Sequence, residues 1–195
     1  MVDRRRRAGS CLYVAGESVE RIWFLKRGTV VLSRPADDRH GEAVVWAVRG
    51  PGAILGAEGF VRATYADSAR AVDEVVVCGA PRAEMAVWLA TQPEASRAVL
   101  DCVLHAMAAD APRRAGADGS AVQRVARWIL EEVKTPRKAA LPRSVVAELL
   151  GIKPETLSRT LATLSLRGAI SVTRRSITVE DAAALEEAAD GRHAG

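Results

Sequence analysis

Residues 142–167 read PRSVVAELLGIKPETLSRTLATLSLR, and this stretch is the most informative in the chain. It predicts two helices joined by a tight turn, because the small residue Ala147 lies four positions before Gly151. A helix-turn-helix needs a small residue where its helices approach closely and a residue that tolerates left-handed backbone at the turn. Four apolar side chains are expected to hold the second helix against the first: Val146, Leu150, Ile152 and Leu157.

The second predicted helix has an outward face whose side chains suit contact with DNA. Arginine pairs with guanine, and glutamate accepts from the amino group of cytosine. The predicted contact residues in and beside the helix-turn-helix are Arg143, Lys153, Glu155, Thr156, Ser158 and Arg159. The alternative is a plain helical hairpin with a charged, solvated face.

Residues 169–179 follow the second helix and alternate as a β-hairpin would. Ile170 and Val172 precede Arg174 and Arg175, and further apolar residues follow at Ile177 and Val179. The pattern predicts a wing in which both arginines contact DNA. The C-terminal region is therefore expected to be a winged helix.

Positive charge is concentrated in this same region. Residues 120–175 carry 11 basic and 4 acidic residues, whereas residues 1–119 carry 16 and 15. Such a block suggests a polyanionic partner. A solvated helical surface would produce the same composition, so charge alone leaves both interpretations open.

The region 12–81 shows short apolar alternations separated by glycines, which is typical of a β roll. Residues 37–41 are predicted to form a hairpin tip, and residues 56–60 a short irregular element. Helices are predicted at 83–90 and from Pro93 to about Ala111. The second helix has a stripe that packs against either a partner helix or its own β domain. The stripe consists of Val99, Val103, Ala106 and Asp110, widened by Cys102 and Met107.

Pro112 and the run from Gly116 to Gly119 are predicted to break the helix and form a hinge. Ser120 is the expected N-cap of the helix that follows. The prediction is an α+β chain of three parts. These parts are a sensor β roll with a short helix (1–92), a dimerisation helix with its hinge (93–119) and a winged-helix DNA-binding domain (120–195).

Composition excludes several other classes of protein. No apolar run approaches the roughly 20 residues of a membrane span, and no apolar core follows the N-terminal arginines, which favours a cytoplasmic protein. Three scattered cysteines provide neither a disulfide framework nor zinc-ligand spacing, so no metal is expected. The sequence has no Ser-His-Asp signature, P-loop, GxGxxG or HExxH motif, so the chain is not expected to be an enzyme.

From about Leu12 to Val179 the chain resembles the Crp/Fnr family of bacterial transcription regulators. The strongest portion is LPRSVVAELLGIKPETLSRTLATLSLRGAISV, and the run LYVAGESVERIWFLKRGTVVLSR is also similar. Glu155, Thr156, Ser158 and Arg159 resemble the recognition core of the Fnr branch. The resemblance implies a homodimer on double-stranded DNA with TTGAT-type half-sites in an inverted repeat, and RNA polymerase as a further partner.

The effector loop differs from that of cyclic-AMP-binding relatives, which carry a Gly-Glu pair and then an Arg-Ser pair. Here Gly56 precedes Ala57, and Ala63 and Thr64 replace the second pair, so cyclic AMP is not expected to bind in the usual way. The effector-binding candidates are Glu58, Ser68 and Arg70, which otherwise are ordinary residues of the roll. The effector is a different small molecule or is absent.

The other sensors of the family are not expected here either. Three thiols cannot supply the four-cysteine cluster of oxygen-sensing relatives, and His40 and His105 do not resemble haem ligands, so no cofactor is predicted. Cys11 and Cys102 are either thiol switches or inert residues. The alternative function is a small-molecule or redox-sensing module that signals through protein contacts.

Overall fold

The computed structural model describes residues 2–35, 43–115, 119–134, 141–173 and 176–191. The chain divides into two compact units, an N-terminal unit (residues 1–111) and a C-terminal unit (residues 112–195). The predicted hairpin tip at 37–41 and the glycine run at 116–118 lie outside the described residues.

The N-terminal unit contains two antiparallel four-stranded sheets, in agreement with the predicted β roll. One sheet has the order β1-β8-β3-β6 and the other has the order β2-β7-β4-β5. The strands are β1 (Val2–Arg6), β2 (Cys11–Tyr13), β3 (Arg21–Arg27), β4 (Val30–Pro35), β5 (Ala43–Arg49), β6 (Ile54–Leu55), β7 (Ser68–Ala71) and β8 (Val75–Pro81). A 3-10 helix, Ala57–Phe60, occupies the predicted irregular element.

Apolar side chains from both sheets form the core of this unit. Leu25, Val30, Val75 and Val77 are fully buried. Gly28 makes the turn between β3 and β4 with a φ of +87°, and a Cβ there would lie 2.5 Å from the Glu74 carbonyl oxygen. The turn therefore requires glycine both for its backbone conformation and for space.

Two helices follow the roll, α1 (Arg82–Thr91) and α2 (Pro93–Ala115). The prediction that Pro112 breaks the second helix is wrong, because α2 continues to Ala115. A proline removes one backbone donor and disfavours the helix, but the rest of a long helix can retain its hydrogen bonds around it.

The predicted stripe of α2 packs against its own unit. Asp110 is buried and accepts two hydrogen bonds from the Arg49 guanidinium on β5, at 2.9 and 2.5 Å. Val99 and Cys102 face β3 across a cavity. The structure thus supports the second of the two interpretations for this stripe, while Met107 lies on a different face and is 53% exposed.

The C-terminal unit is a small helical domain with a two-stranded sheet. Its elements are α3 (Ala121–Lys134), α4 (Arg143–Leu149), α5 (Pro154–Leu166), β9 (Ile170–Val172), β10 (Ile177–Val179) and α6 (Ala182–Asp190). Ser120 caps α3 as predicted, since its Oγ accepts from the Gln123 amide at 3.3 Å and Gln123 Oε1 accepts from the Ser120 amide at 2.8 Å. The core includes Val125, Leu161 and Leu185.

None of the helices within the described ranges is long and apolar enough to cross a membrane.

Candidate DNA-recognition site

The turn between α4 and α5 is held by main-chain hydrogen bonds that depend on Gly151. The Gly151 amide donates to the Glu148 carbonyl at 3.1 Å, and the Ile152 amide donates to the Ala147 carbonyl at 3.0 Å. This pair of bonds is a Schellman motif, which needs a left-handed residue after the helix. Gly151 supplies it with a φ of +61°, as the sequence predicted.

Close packing fixes the position of α5 against α4. Ala147 is 1% exposed, and Val146 on α4 and Leu157 on α5 are also buried. A larger side chain at residue 147 would separate the two helices, so the small residue and the glycine act together. The helix-turn-helix prediction is confirmed in both its elements and its turn.

The first turns of α5 present polar side chains to solvent. Pro154 occupies the first helical position, where its missing amide hydrogen has no partner to lose. Lys153, Glu155, Ser158 and Arg159 are exposed, whereas Thr156 is half-buried. Because residues three and four positions apart share a helical face, Glu155, Ser158 and Arg159 form one surface, named here the recognition face.

The recognition face has no partners among the residues that the structure describes. Within the described parts of the chain, no hydrogen bond or ion pair engages the side chains of Lys153, Glu155, Ser158 or Arg159. The opposite side of α5 is buried through Leu157, Thr160, Leu161 and Leu164. The helix is therefore anchored on one side and carries unpaired hydrogen-bonding groups on the other.

The predicted wing is present as the antiparallel pair β9 and β10, with Val172 opposite Ile177. At its base the Thr173 amide donates to the Ser176 carbonyl at 2.9 Å. Arg174 and Arg175 lie outside the described residues. Arg143, at the start of α4, donates to the Thr173 carbonyl at 3.1 Å, a link between α4 and the wing that the sequence pattern did not reveal.

The predicted effector residues have polar partners inside the N-terminal unit. Glu58 Oε1 accepts from the Ala66 amide at 3.2 Å, and Ser68 Oγ accepts from the Ala15 amide at 3.0 Å. Arg70 is half-buried on β7, opposite Cys11 and Val31 in the neighbouring strands. Glu58 thus supports the backbone of the predicted effector loop, and Ser68 supports the turn that follows β2.

A buried polar cluster near this loop was missed by the sequence analysis. The rings of Tyr13 and Tyr65 stack with centroids 3.9 Å apart, and the Tyr13 hydroxyl donates to Asp67 Oδ1 at 3.3 Å. Tyr65 donates to the Arg21 carbonyl at 2.6 Å. The two are the only tyrosines of the chain, and that scarcity was the one signal available in the sequence.

Burial changes the acid-base chemistry of this cluster. It raises the pKa of Asp67 from 3.8 to about 6, with a further contribution from the negative charge of Glu58. Burial, followed by the charge of Asp67, also raises the pKa of Tyr13. In the described ranges no group of three or more histidine, cysteine or acidic side chains is arranged to hold a metal ion.

Comparison with known proteins gives matches over most of the chain. Residues 3–92 match the cyclic nucleotide-binding domain family, and residues 123–188 match the Crp-like helix-turn-helix domain family. No curated protein sequence matches the chain significantly.

Several solved structures share the fold at low sequence identity. A CRP-family transcriptional regulator from Thermus thermophilus is 24% identical with a TM-score of 0.74, covering 96% of each chain. FixK2 from Bradyrhizobium japonicum is 20% identical with a TM-score of 0.78, covering 95% of this chain and 96% of that one. The c-di-GMP-responsive regulator CLP from Xanthomonas campestris is 17% identical with a TM-score of 0.73, covering 91% and 93%.

Proposed function

The chain belongs to the Crp/Fnr family of bacterial transcription regulators, and from this premise we propose that it binds an inverted-repeat DNA site as a homodimer. The observation that carries the proposal is the recognition face, an exposed set of polar side chains without partners among the described residues, on a helix whose other side is buried. A helix of this kind enters the major groove with its N-terminal residues toward the base edges. The protein acts in the cytoplasm and has no enzymatic role.

The chemistry of the recognition face fits a half-site of the TTGAT type. Arg159 donates two hydrogen bonds to O6 and N7 of the guanine, and Glu155 accepts from N4 of a cytosine. Ser158 either donates or accepts at a neighbouring base. This assignment follows the match between these three residues and the Fnr-branch core in the sequence.

Basic residues around the recognition face are proposed to hold the phosphates. Lys153 is exposed directly before α5, and the first-turn amides of that helix favour an anion. Arg143, Thr156, Arg174 and Arg175 complete the proposed phosphate contacts. Thr156 adds a neutral hydrogen bond, whereas the contribution of the four basic residues is electrostatic and independent of sequence, so DNA affinity should fall steeply with salt.

An exposed apolar row on α2 supports the homodimer. Leu100, Leu104 and Met107 are 56%, 51% and 53% exposed, and their spacing places them on one face of the helix. Pairing with α2 of a second copy would remove this surface from water. A two-fold dimer places its two recognition helices one turn of DNA apart, about 34–36 Å, which matches an inverted repeat.

We propose that cyclic AMP does not regulate this protein in the way that is usual for the family. Gly56 precedes Ala57 instead of glutamate, and the stack of Tyr13 on Tyr65 lies beside the same loop. A Cβ at Gly56 would lie 2.7 Å from the Tyr65 ring, so the ring fills the space next to the loop. Contact with RNA polymerase is proposed from family membership.

The test is fluorescence anisotropy of the full chain on a TTGAT inverted repeat and on a scrambled duplex, across a salt series. Arg159→Ala should weaken binding to the repeat by about 1–3 kcal/mol and leave scrambled-duplex binding nearly unchanged. Arg167→Ala, at the exposed C-terminal end of the same helix, is the matched control.

Equal affinity of wild type and Arg159→Ala for the repeat would refute the assigned recognition face. Wild type that binds both duplexes equally at every salt concentration would favour the other candidate, a sensor that signals through protein contacts.

A further inference from the structure

An apolar cavity that is partly open to solvent beside the 49%-exposed Trp88 lies in the N-terminal unit between β3, the 3-10 helix, α1 and α2. Its volume is about 210 Å³. Ile22 and Trp23 on β3 are among its lining residues and are only 2% and 6% exposed. Phe60 on the 3-10 helix, Trp88 on α1 and Val99 on α2 also line it. The cavity belongs to neither the recognition face nor the predicted effector residues, since none of Glu58, Ser68 and Arg70 lines it.

The described residues that line the cavity present almost entirely apolar surface, and none of them is charged. Water against this lining finds few hydrogen-bond partners, and an enclosed apolar cavity of roughly 150 Å³ is known to stay dry and bind benzene. A charged ligand would lose its hydration without gaining a partner. The lining therefore selects a neutral ligand that presents carbon to its surroundings.

Aromatic side chains make the cavity specific in shape. Trp23, Phe24, Phe60 and Trp88 are among the lining residues, and offset or edge-to-face contacts with aromatic rings favour a flat guest. The thiol of Cys102 adds a polarizable contact on α2. We propose that this cavity is a binding site for a small neutral apolar molecule, of which a one-ring or two-ring aromatic compound is the best fit.

One wall of the cavity is α2, the helix whose other face carries Leu100, Leu104 and Met107. Ala95, Ala98, Val99 and Cys102 share the cavity side of the helix, and Leu100 lies on the side turned away from it. A bound guest would therefore touch α2 directly without occupying the proposed dimer face. Because the site lies wholly within the N-terminal unit, the proposal stands independently of DNA recognition.

The first test is titration of the full chain with 1-aminonaphthalene, a compact neutral aromatic that accepts excitation from tryptophan. Trp23 and Trp88 line the cavity, so binding there should give energy transfer to the probe. Ala95→Phe fills the space from the half-buried start of α2 and should weaken probe binding by at least about tenfold. Ala108→Phe adds the same ring at an exposed position on the same helix, and it should leave the affinity unchanged.

A second measurement does not depend on a variant of the cavity wall. In the Cys11→Ser background, Cys78 is buried and Cys102 is the more accessible remaining thiol. Saturating 1-aminonaphthalene should slow the reaction of Cys102 with a disulfide reagent severalfold. The proposal is overturned by an unchanged thiol reaction rate, or by equal probe affinity in folded Ala95→Phe and Ala108→Phe.

Discussion

Asp67 provides a quantitative test of the buried polar cluster. The residue is 4% exposed, and its carboxyl group accepts a hydrogen bond from the Tyr13 hydroxyl at 3.3 Å. Burial, together with the negative charge of Glu58, raises its pKa to about 6, and the positive charge of Arg34 opposes this rise only in part. Between these two pKa values the Asp67 carboxyl group is therefore protonated in the folded protein and ionised in the unfolded chain.

The difference in pKa sets the size and the pH range of the effect. From 3.8 to about 6 is a difference of about two pKa units, which corresponds to about 3 kcal/mol at 1.36 kcal/mol per unit. Between about pH 4 and pH 6 the folded state binds more protons than the unfolded state, so raising the pH through this range lowers stability. Above about pH 6 the folded state has lost the full stability of about 3 kcal/mol, and below about pH 4 it has lost none of it.

Asp67→Asn removes the titration and keeps an oxygen that can accept from Tyr13. The stability of the variant relative to wild type should rise by about 3 kcal/mol between about pH 4 and pH 6 and stay constant above. Urea unfolding followed by tryptophan fluorescence at a series of pH values measures this difference. Asp101→Asn, at an exposed position on α2, controls for the loss of one negative charge. A constant difference between Asp67→Asn and wild type from about pH 4 to pH 8 would refute the assigned pKa.

Four further outcomes are expected. Lys153→Ala should reduce the salt dependence of DNA binding by about one phosphate contact, measured as the slope of log affinity against log salt. Leu104→Arg should raise the dimer dissociation constant at least about tenfold in sedimentation equilibrium, because it places like charges across the proposed α2 pair. Asp110→Ala should destabilise the N-terminal unit by about 3–5 kcal/mol in urea, because Arg49 stays buried without its carboxylate. Gly151→Ala should lower stability by about 1 kcal/mol in thermal melts, since its φ of +61° strains any other residue while the nearest atom to the new Cβ is 3.7 Å away.

The helix-turn-helix could be predicted from sequence because its determinants are local. The Schellman turn needs glycine at residue 151, and the helix contact needs a small residue at 147, so both constraints appear within five consecutive positions. Part of the β roll was predictable for a related reason, since β5 and β7 alternate between more and less buried residues, although β3, β4 and β8 contain runs of consecutive buried residues. In both cases the pattern in the sequence is the same pattern that the backbone imposes.

Strand β1 could not be recognised in the same way. Its sequence is VDRRR, which has no apolar alternation, and it pairs with β8 through main-chain hydrogen bonds at the edge of a sheet. Main-chain pairing leaves little signal in residue type at an exposed edge. Residue type was also a poor guide at Pro112. Proline predicted the end of a helix there, but α2 continues through it to Ala115 because the remaining main-chain hydrogen bonds maintain the helix.

The Tyr13, Tyr65 and Asp67 cluster was invisible for a different reason. The hydrogen bond between Tyr13 and Asp67 joins residues separated by 54 positions in the chain. No short motif encodes such a contact, because it exists only after β2 and β7 pair and bring their neighbours together. The sequence identified a changed effector loop at Gly56 and Ala57, whereas the side chains that occupy the adjacent space come from two distant segments.

The two faces of α2 determine whether the proposed cavity ligand would act as a regulator. One face is tied to its own unit through Val99, Cys102 and the pair of Asp110 with Arg49, and the other carries the proposed dimer contact. A ligand changes DNA binding only if it prefers one arrangement of α2 over another. Thermodynamic linkage makes the coupling reciprocal. If 1-aminonaphthalene changes the affinity of the protein for the inverted repeat by some factor, the repeat must change the affinity of the protein for 1-aminonaphthalene by the same factor. Equal probe affinity with and without saturating DNA would therefore make the cavity a binding site without regulatory coupling, and unequal affinity would give the sign of the regulation directly.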